Sequence, residues 1–285
     1  MSSSLDKLRA AMESASPSEG AKKSYSDDTY WKPELDKTGN GYAVIRFLPT
    51  PDGEEMPWVS YFDHGFQGPG GWYIEKSLTT LNKKDPVSEY NTSLWNTGIE
   101  ANKEIARKQK RRLHYVSNVY VVSDPKNPDN EGKVFKYRYG KKIFEALKEA
   151  ISPAFEDEKA INPFDLRDEG ANFKIKIRKV DGYWNYDKSE FEGVSALADN
   201  DDKIKSIWST QHALKPFLAA DNFKTYEELK EKLNRVLSGA RKTETVAVAD
   251  LPPSTNGSAK SISESPVASD DDDTMSYFSK LAEDE

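Results

Sequence analysis

Residues 113–142, LHYVSNVYVVSDPKNPDNEGKVFKYRYGKK, decide the fold class because they contain two stretches of alternating residues separated by turn formers. This pattern predicts two β-strands joined by a turn. In the second stretch, KVFKYRYGKK (133–142), a strand would place three aromatic side chains on one face and an aliphatic and two cationic side chains on the other. The aromatic set is Phe135, Tyr137 and Tyr139, and the opposite set is Val134, Lys136 and Arg138. Such a strand either packs its rings into a core, with its cations in water, or stacks them on nucleic-acid bases while its cations hold phosphates.

The regions around this stretch predict further short strands and a few helices. Alternation is strict in ANFKIKIRKV (171–180), and the turn QGPGG separates two stretches that favour a hairpin. The predicted strands are GYAVIRFLP (41–49), MPWVSYFDHGF (56–66), GWYIEKSL (71–78) and 171–180, and the predicted helices are 141–152 and segments near 201–219 and 223–240. Many short strands with helices between and after them indicate an α+β fold with a mainly β core, arranged as a small barrel with appended helices.

Composition limits the possible class of protein. The 285 residues contain no cysteine, which excludes disulfides, thiol nucleophiles and thiolate metal sites. There is no run of about 18 apolar residues and no signal segment, so we expect a soluble intracellular protein without a membrane span. The histidines His64, His114 and His212 have no metalloprotease spacing, and no nucleophile elbow or phosphate-binding loop is present. We therefore predict a binding protein that is not an enzyme and has no cofactor.

Charge is distributed unevenly along the chain. The formal net charge is −7, yet residues 103–148 hold thirteen Lys or Arg against five Asp or Glu, whereas residues 241–285 hold four against ten. The run KEIARKQKRRLHYV (103–116) contains a single acid and leads into the first predicted strand of the opening stretch. Cations interleaved with tyrosines suit a groove for single strands, in which phosphates follow the cations and unstacked bases lie on rings. An RNA-binding barrel, such as a translation repressor, and a non-catalytic scaffolding protein are alternatives.

The two ends of the chain differ in composition from its middle. Residues 1–20 carry Leu5, Leu8 and Met12 at helical spacing, which predicts either a short helix that orders only against a partner or another copy of the protein, or a frayed terminus. Residues 241–285 are rich in Ser, Pro and acids, which predicts a disordered tail, and the closing TMSYFSKLAEDE has the pattern of a linear motif that folds on a partner. Residues 21–240 form the predicted binding core.

Several runs resemble one family, the helix-destabilising single-stranded DNA-binding proteins of T4-type bacteriophages. They are GNGYAVIRFLP (39–49), HGFQGPGGWYIE (64–75), DNEGKVFKYRYGKKI (129–143), EGANFKIKI (169–177), GYWNYDKSEF (182–191) and FKTYEEL (223–229). The resemblance implies an OB-fold core, an arm for cooperative self-association along DNA and an acidic tail that docks phage DNA polymerase, helicase-loading and recombination proteins. It further implies that the protein acts in replication, recombination and repair in the host cytoplasm, coating exposed strands and removing their secondary structure.

Three sets of site residues follow from the sequence and this resemblance. The expected DNA-binding set is Trp95, Lys110, Arg111, Arg112, Tyr115, Lys136, Tyr137, Arg138, Tyr183 and Tyr186. The expected self-association set is Leu5, Lys7, Leu8 and Arg9. The expected partner-binding set is Asp270, Asp271, Asp272, Asp273, Met275, Tyr277, Phe278 and Leu281.

One departure from the family concerns metal binding. The resemblance implies a structural zinc held by one histidine and three cysteines, and His64 resembles that histidine. Near the expected cysteine positions this chain has Ser77, Asp85 and Ser88. Serine supplies no thiolate, so we predict no zinc and expect His64 to be an ordinary turn or core histidine.

Overall fold

The computed structural model describes residues 28–155, 157–180 and 182–238. Its strands are β1 (Tyr30–Trp31), β2 (Gly41–Phe47), β3 (Trp58–Gly68), β4 (Gly71–Lys76), β5 (Arg112–Ser123), β6 (Val134–Tyr139), β7 (Ala171–Val180), β8 (Tyr183–Asn185) and β9 (Glu190–Val194). Its α-helices are α1 (Pro86–Asn96), α2 (Glu100–Gln109), α3 (Lys141–Ile151), α4 (Asp201–Ser209) and α5 (Tyr226–Ser238). The predicted arm and tail, with their self-association and partner-binding residues, lie outside these ranges.

The nine described strands form one branched sheet. The main path runs β1-β6-β5-β2-β7-β8, while β3 pairs with β5 and β4, and β9 pairs with β7. All pairs are antiparallel except β1 with β6. The predicted α+β class is confirmed, but the sheet is not a closed barrel. Its path ends at β1 and β8, which are only two and three residues long and do not pair with each other within the described residues.

The main core lies on one face of this sheet. Alternate residues of β2 and β7, including Ile45, Phe47, Phe173 and Ile175, are fully buried there, as their period-two pattern predicts. Helix α3 covers this face with Ile143 and Leu147. The sequence prediction of a helix at 141–152 is therefore confirmed, because the apolar residues at spacings of three and four form a single stripe.

A second core joins the β3–β4 hairpin to α1 and α5. It contains seven buried apolar side chains: Phe66, Tyr73, Leu78, Val87, Leu229, Leu233 and Val236. The QGPGG turn is needed for this contact. The amide of Gly70 donates a 2.7 Å hydrogen bond to the carbonyl of Val236, and a Cβ at Gly70 would lie 2.1 Å from the carbonyl oxygen of Arg235. Any larger residue would therefore push α5 away from the hairpin.

The remaining helices differ from the sequence prediction in number and length. Helix α1 was not predicted, although Asp85 as N-cap followed by Pro86 at the first helical position is a recognised start signal. The helix expected near 201–219 ends at Ser209, and a short 3-10 turn containing Pro216 follows it. Among the described residues, no helix has both the length and the apolar character needed to cross a membrane.

Candidate nucleic-acid interface

The β5–β6 ribbon carries much of the predicted site and has two distinct faces. Tyr115 pairs with Tyr139 and Ser117 with Tyr137, whereas Val116 pairs with Arg138 and Asn118 with Lys136. Directly opposite residues in an antiparallel pair share a face. We call the face of Tyr115, Tyr137 and Tyr139 the inner face, since it lies on the main core, and that of His114, Lys136 and Arg138 the outer face.

The inner face is packed. Tyr137 is 3% exposed, and its ring centroid lies 5.3 Å from that of Trp31 and 5.6 Å from that of Tyr139. Burial raises the pKa of Tyr137 well above its ordinary value. In the described arrangement a base could stack on this ring only if the core opened, so the stacking role of Tyr137 stays a prediction that its burial does not favour. The period-two assignment is confirmed: Phe135, Tyr137 and Tyr139 all face inward.

Tyr115 and Tyr186 also belong to the inner side. The ring of Tyr115 stacks on that of Phe144 with centroids 3.9 Å apart, and both Tyr115 and Tyr186 are half-buried against the main core. Tyr183, at the start of the short strand β8, is 44% exposed. The four tyrosines predicted to bind DNA are therefore not on one accessible surface.

The outer face interleaves cations with rings. Lys136 Nζ lies 4.5 Å from the ring centroid of Tyr30, and 5.5 Å from that of Phe217. Lys76 Nζ lies 5.4 Å from the ring centroid of Tyr61 and 5.3 Å from that of Phe217. Ammonium groups over ring faces at these distances attract the rings electrostatically. This face therefore alternates cations with aromatic rings, but its rings are not the tyrosines that were expected to line a groove.

Sequence reasoning missed several members of the outer face. Lys76, Tyr30 and Tyr61 were not singled out, and Phe217 comes from a segment about 80 residues beyond β6. Tyr61 joins this face because it pairs with His114 across β3 and β5, a register that the sequence does not give. For Phe217, no local pattern gives a signal.

A carboxylate organises the cations at the hairpin end of the outer face. Asp63 accepts a 3.1 Å hydrogen bond from Arg112 Nε, and its other oxygen lies 3.0 Å from His114 Nε2. Burial raises the pKa of Asp63, but the contacts with His114 and Arg112 outweigh this and lower it overall. The guanidinium of Arg112 lies over Gly65, where a Cβ would be 1.9 Å from Nη2. Asp63 thus holds Arg112 by a hydrogen bond, and Gly65 leaves room for its guanidinium because it has no side chain.

The basic helix α2 and the residues after it lie next to this end of the ribbon. Lys103 Nζ and the guanidinium carbon of Arg107 lie 5.5 and 5.4 Å from the ring centroid of Trp95, so this tryptophan is covered by cations of α2. Arg107 also pairs with Glu100 at 2.7 Å. Arg111 lies over the ring of Phe62 at 3.9 Å, on the side opposite to Arg112. The cationic run therefore divides between the two faces of the sheet.

Nothing in the described part of the chain resembles a metal centre. No group of three or more His, Asp or Glu residues there is placed to hold a metal ion. His64 is buried in contact with Asp85, and His212 Nε2 lies 3.2 Å from the carbonyl oxygen of Val134. The described histidines are thus engaged in packing and hydrogen bonding.

Comparison with known proteins gives one consistent answer. Residues 39–237 match the family model described as gp32 DNA binding protein like. The chain is 41% identical over 225 residues to a protein named single-stranded DNA-binding protein from Enterobacteria phage T2, covering 76% of this chain and 72% of that protein. The same name and identity apply to a relative from Enterobacteria phage T4, with 73% of that protein covered. A protein of this name from Escherichia phage SV14 is 44% identical over 78 residues, which cover 26% of this chain and 69% of that protein. The chain belongs to the gp32-like family of phage DNA-binding proteins.

Proposed function

We propose that the protein binds single-stranded DNA without catalysing a reaction, and that the outer face of the β5–β6 ribbon is its main contact surface. The observation that carries this proposal is the placement of Lys76 and Lys136 among Tyr30, Tyr61 and Phe217. Family membership supports the same conclusion, because the T2 and T4 relatives are named for this activity.

The proposed mode of binding follows from the chemistry of the outer face. Phosphates pair with the ammonium and guanidinium groups of Lys76, Lys136, Arg112 and Arg138, and unstacked bases replace Lys136 on the rings of Tyr30 and Phe217. Tyr61 is only 6% exposed and supports Phe217 from below. Stacking on such rings contributes roughly 1–3 kcal/mol per base. A duplex hides its base faces, so the protein favours melted strands and removes secondary structure by mass action.

Titration of the full chain with matched single-stranded and duplex DNA, across a range of salt concentrations, tests the proposal. Neutralising about four phosphates, one for each of these outer-face cations, predicts a slope near −2.8 for log K against log salt with single strands. We expect the double variant Lys136→Ala/Arg138→Ala to reduce this slope. Lys148→Ala, which removes an exposed cation from α3, is the matched control and should leave it unchanged. Equal affinity for duplex DNA, or no salt dependence, would contradict the proposal.

The same titration separates the alternatives. An RNA-binding barrel predicts tighter binding to RNA than to DNA of the same sequence, and a scaffolding protein predicts no binding to either. A labelled oligonucleotide reports on binding wherever the tryptophans lie, so it is the better probe.

Cooperative coating and recruitment of partners are further parts of the proposal. They rest on the sequence of residues 1–20 and 241–285, with Leu5, Lys7, Leu8 and Arg9 in the first segment and the four consecutive acids 270–273 in the second. Deleting residues 1–20 should lower cooperativity without changing the affinity of an isolated site. Deleting residues 241–285 should tighten DNA binding at low salt and abolish binding to replication and recombination proteins in the host cytoplasm. Unchanged affinity at low salt would contradict competition between the tail and DNA.

A further inference from the structure

Five buried polar residues lie together near the start of β5, four through their side chains and Gln109 through its backbone carbonyl. They are His64, Ser77, Asp85, Asn91 and Gln109, and each is at most 6% exposed. Burying polar groups costs free energy unless they find partners, so such a cluster requires an explanation. The contacts within it connect β3, the segment after β4, α1 and α2.

Asp85 is the centre of the cluster. Its Oδ1 accepts hydrogen bonds from the amides of Val87 at 3.0 Å and Ser88 at 3.1 Å, which caps α1. Its Oδ2 accepts from Ser77 Oγ and the amide of Leu78, both at 3.0 Å. Burial raises the pKa of Asp85, but the contact with His64 and these amides lower it to about 2 overall. The carboxylate therefore joins the end of the hairpin to α1.

The residues of this cluster do not fit the zinc that the family resemblance implies. Structural zinc sites use thiolates and imidazoles, whereas Ser77 and Ser88 offer hydroxyls. Both oxygens of Asp85 already accept two hydrogen bonds each. His64 is the single strong ligand that remains, and one such ligand does not hold Zn²⁺.

His64 and Asn91 converge on one backbone atom. His64 Nδ1 lies 2.9 Å from the carbonyl oxygen of Gln109, and because a carbonyl only accepts, Nδ1 carries the proton. Asn91 Nδ2 donates to the same oxygen at 3.1 Å. On its other side, His64 Nε2 lies 3.3 Å from Asp85 Oδ1. This contact is an ion pair only when Nε2 carries a proton as well, and it is not aligned as a hydrogen bond.

Gln109 is the last residue of α2, and the cationic run follows it directly. Lys110 continues in an extended conformation, Arg111 reaches Phe62 and Arg112 begins β5. The hydrogen bonds from His64 and Asn91 therefore fix the point at which the chain leaves α2. From that point Arg111 and Arg112 go to opposite faces of the sheet.

We propose that the buried contact of His64 with Asp85, together with the two hydrogen bonds to Gln109, takes the place of a structural metal and positions residues 110–112 for nucleic-acid binding. The positioning part rests on the proposed function. His64, Asp85 and Asn91 do not touch DNA in this arrangement and act through Arg112 and its neighbours.

Metal content tests the first part independently of DNA. The full-length protein, purified without chelator and dialysed against zinc, is analysed for bound metal and melted with and without EDTA. We expect less than about 0.1 equivalent of zinc and the same Tm in both buffers, since the donors lack thiolates. Zinc near one equivalent, or a fall in Tm on chelation, overturns this part whether or not the protein binds DNA.

A double-mutant cycle tests the positioning part. Asn91→Ala removes one of the two hydrogen bonds to Gln109 and leaves Asp85 and His64 in place. If it misplaces Arg112, affinity for single strands at about 0.1 M salt should fall about fivefold, the effect of one lost phosphate contact, and the salt slope should fall by about 0.7. In an Arg112→Ala background the same change should cost less than about twofold.

Val236→Ala is the matched control, because it creates a cavity in the second core without touching Gln109. It should lower Tm while affinity and salt slope at 20 °C stay those of the parent. His64→Leu provides a second measurement, with the loss expected to be larger than for Asn91→Ala. Additive losses in the cycle, or an unchanged salt slope in Asn91→Ala and His64→Leu, overturn the positioning role. Failure of the parent protein to bind single strands instead rejects the proposed function.

Discussion

Neighbouring residues of β6 should affect different properties when they are truncated, because the strand alternates between core and outer face. Tyr137 is 3% exposed and packs between Trp31 and Tyr139. Truncating a buried aromatic side chain to alanine costs about 3–5 kcal/mol. In a domain of this size that corresponds to a fall in Tm of roughly 6–20 °C. Tyr137→Phe keeps the ring and should cost less than about 1.5 kcal/mol.

Lys136→Ala/Arg138→Ala should show the opposite behaviour. These side chains lie on the outer face, so their loss should change stability by less than about 1 kcal/mol. Two lost phosphate contacts lower the salt slope by about 1.4 and weaken binding at about 0.1 M salt roughly 25-fold. Thermal melts and titrations at 20 °C, where Tyr137→Ala should remain folded, measure both properties. If Tyr137→Ala loses affinity but keeps its Tm, or if the double variant keeps its slope, the assignment of the faces is wrong.

Three further substitutions test individual contacts. Gly65→Ala should displace the Arg112 guanidinium, because Nη2 would lie 1.9 Å from the new Cβ. Affinity for single strands should fall about fivefold at about 0.1 M salt. Gly193→Ala, where the new Cβ has no atom within 4 Å, should have no effect in the same titration. Because the folded state lowers the pKa of Asp63, its stabilisation is present above pH about 4 and is lost as the pH falls. The difference in unfolding free energy between the parent and Asp63→Asn should therefore be fully present above about pH 4 and should shrink as the pH falls below that value; a difference that grows toward low pH would contradict this. Arg46→Lys should cost roughly 3 kcal/mol in denaturant unfolding, because Arg46 is fully buried and its guanidinium bonds three separate groups that an ammonium cannot reach together.

Local sequence patterns identified most of the strands and helices, but they did not identify the residues that form the outer face. The alternation in 113–142 and 171–180 and the helical stripe of α3 are set by neighbours in sequence, so they could be predicted. Which face of β6 is covered depends on Trp31 and α3, which reach it only after folding. The aromatic face was therefore correctly separated from the cationic face, while the choice between core packing and base stacking depended on contacts that the sequence does not give.

The outer face is the part of the molecule that sequence patterns predicted least well. Its rings come from β1, β3 and the segment around Phe217, and no spacing in the sequence relates these three to Lys136. Cations could be found because they cluster between residues 103 and 148, but a cluster in sequence does not specify a direction in space. A residue type indicates which chemistry is possible, and only the register of the strands shows which side of the sheet carries it.

The register also changes how the cationic run 110–112 should be understood. Arg111 contacts Phe62 and Arg112 contacts Asp63, and these partners are adjacent on β3, so they lie on opposite faces of the sheet. A single strand that follows the outer face past Lys136 and Arg138 meets Arg112, whereas it reaches Arg111 only by crossing the end of the ribbon. The two arginines are therefore not equivalent, although they are neighbours in the most basic part of the chain. Arg112 continues the line of outer-face cations, whereas Arg111 lies over Phe62 on the opposite face of the sheet.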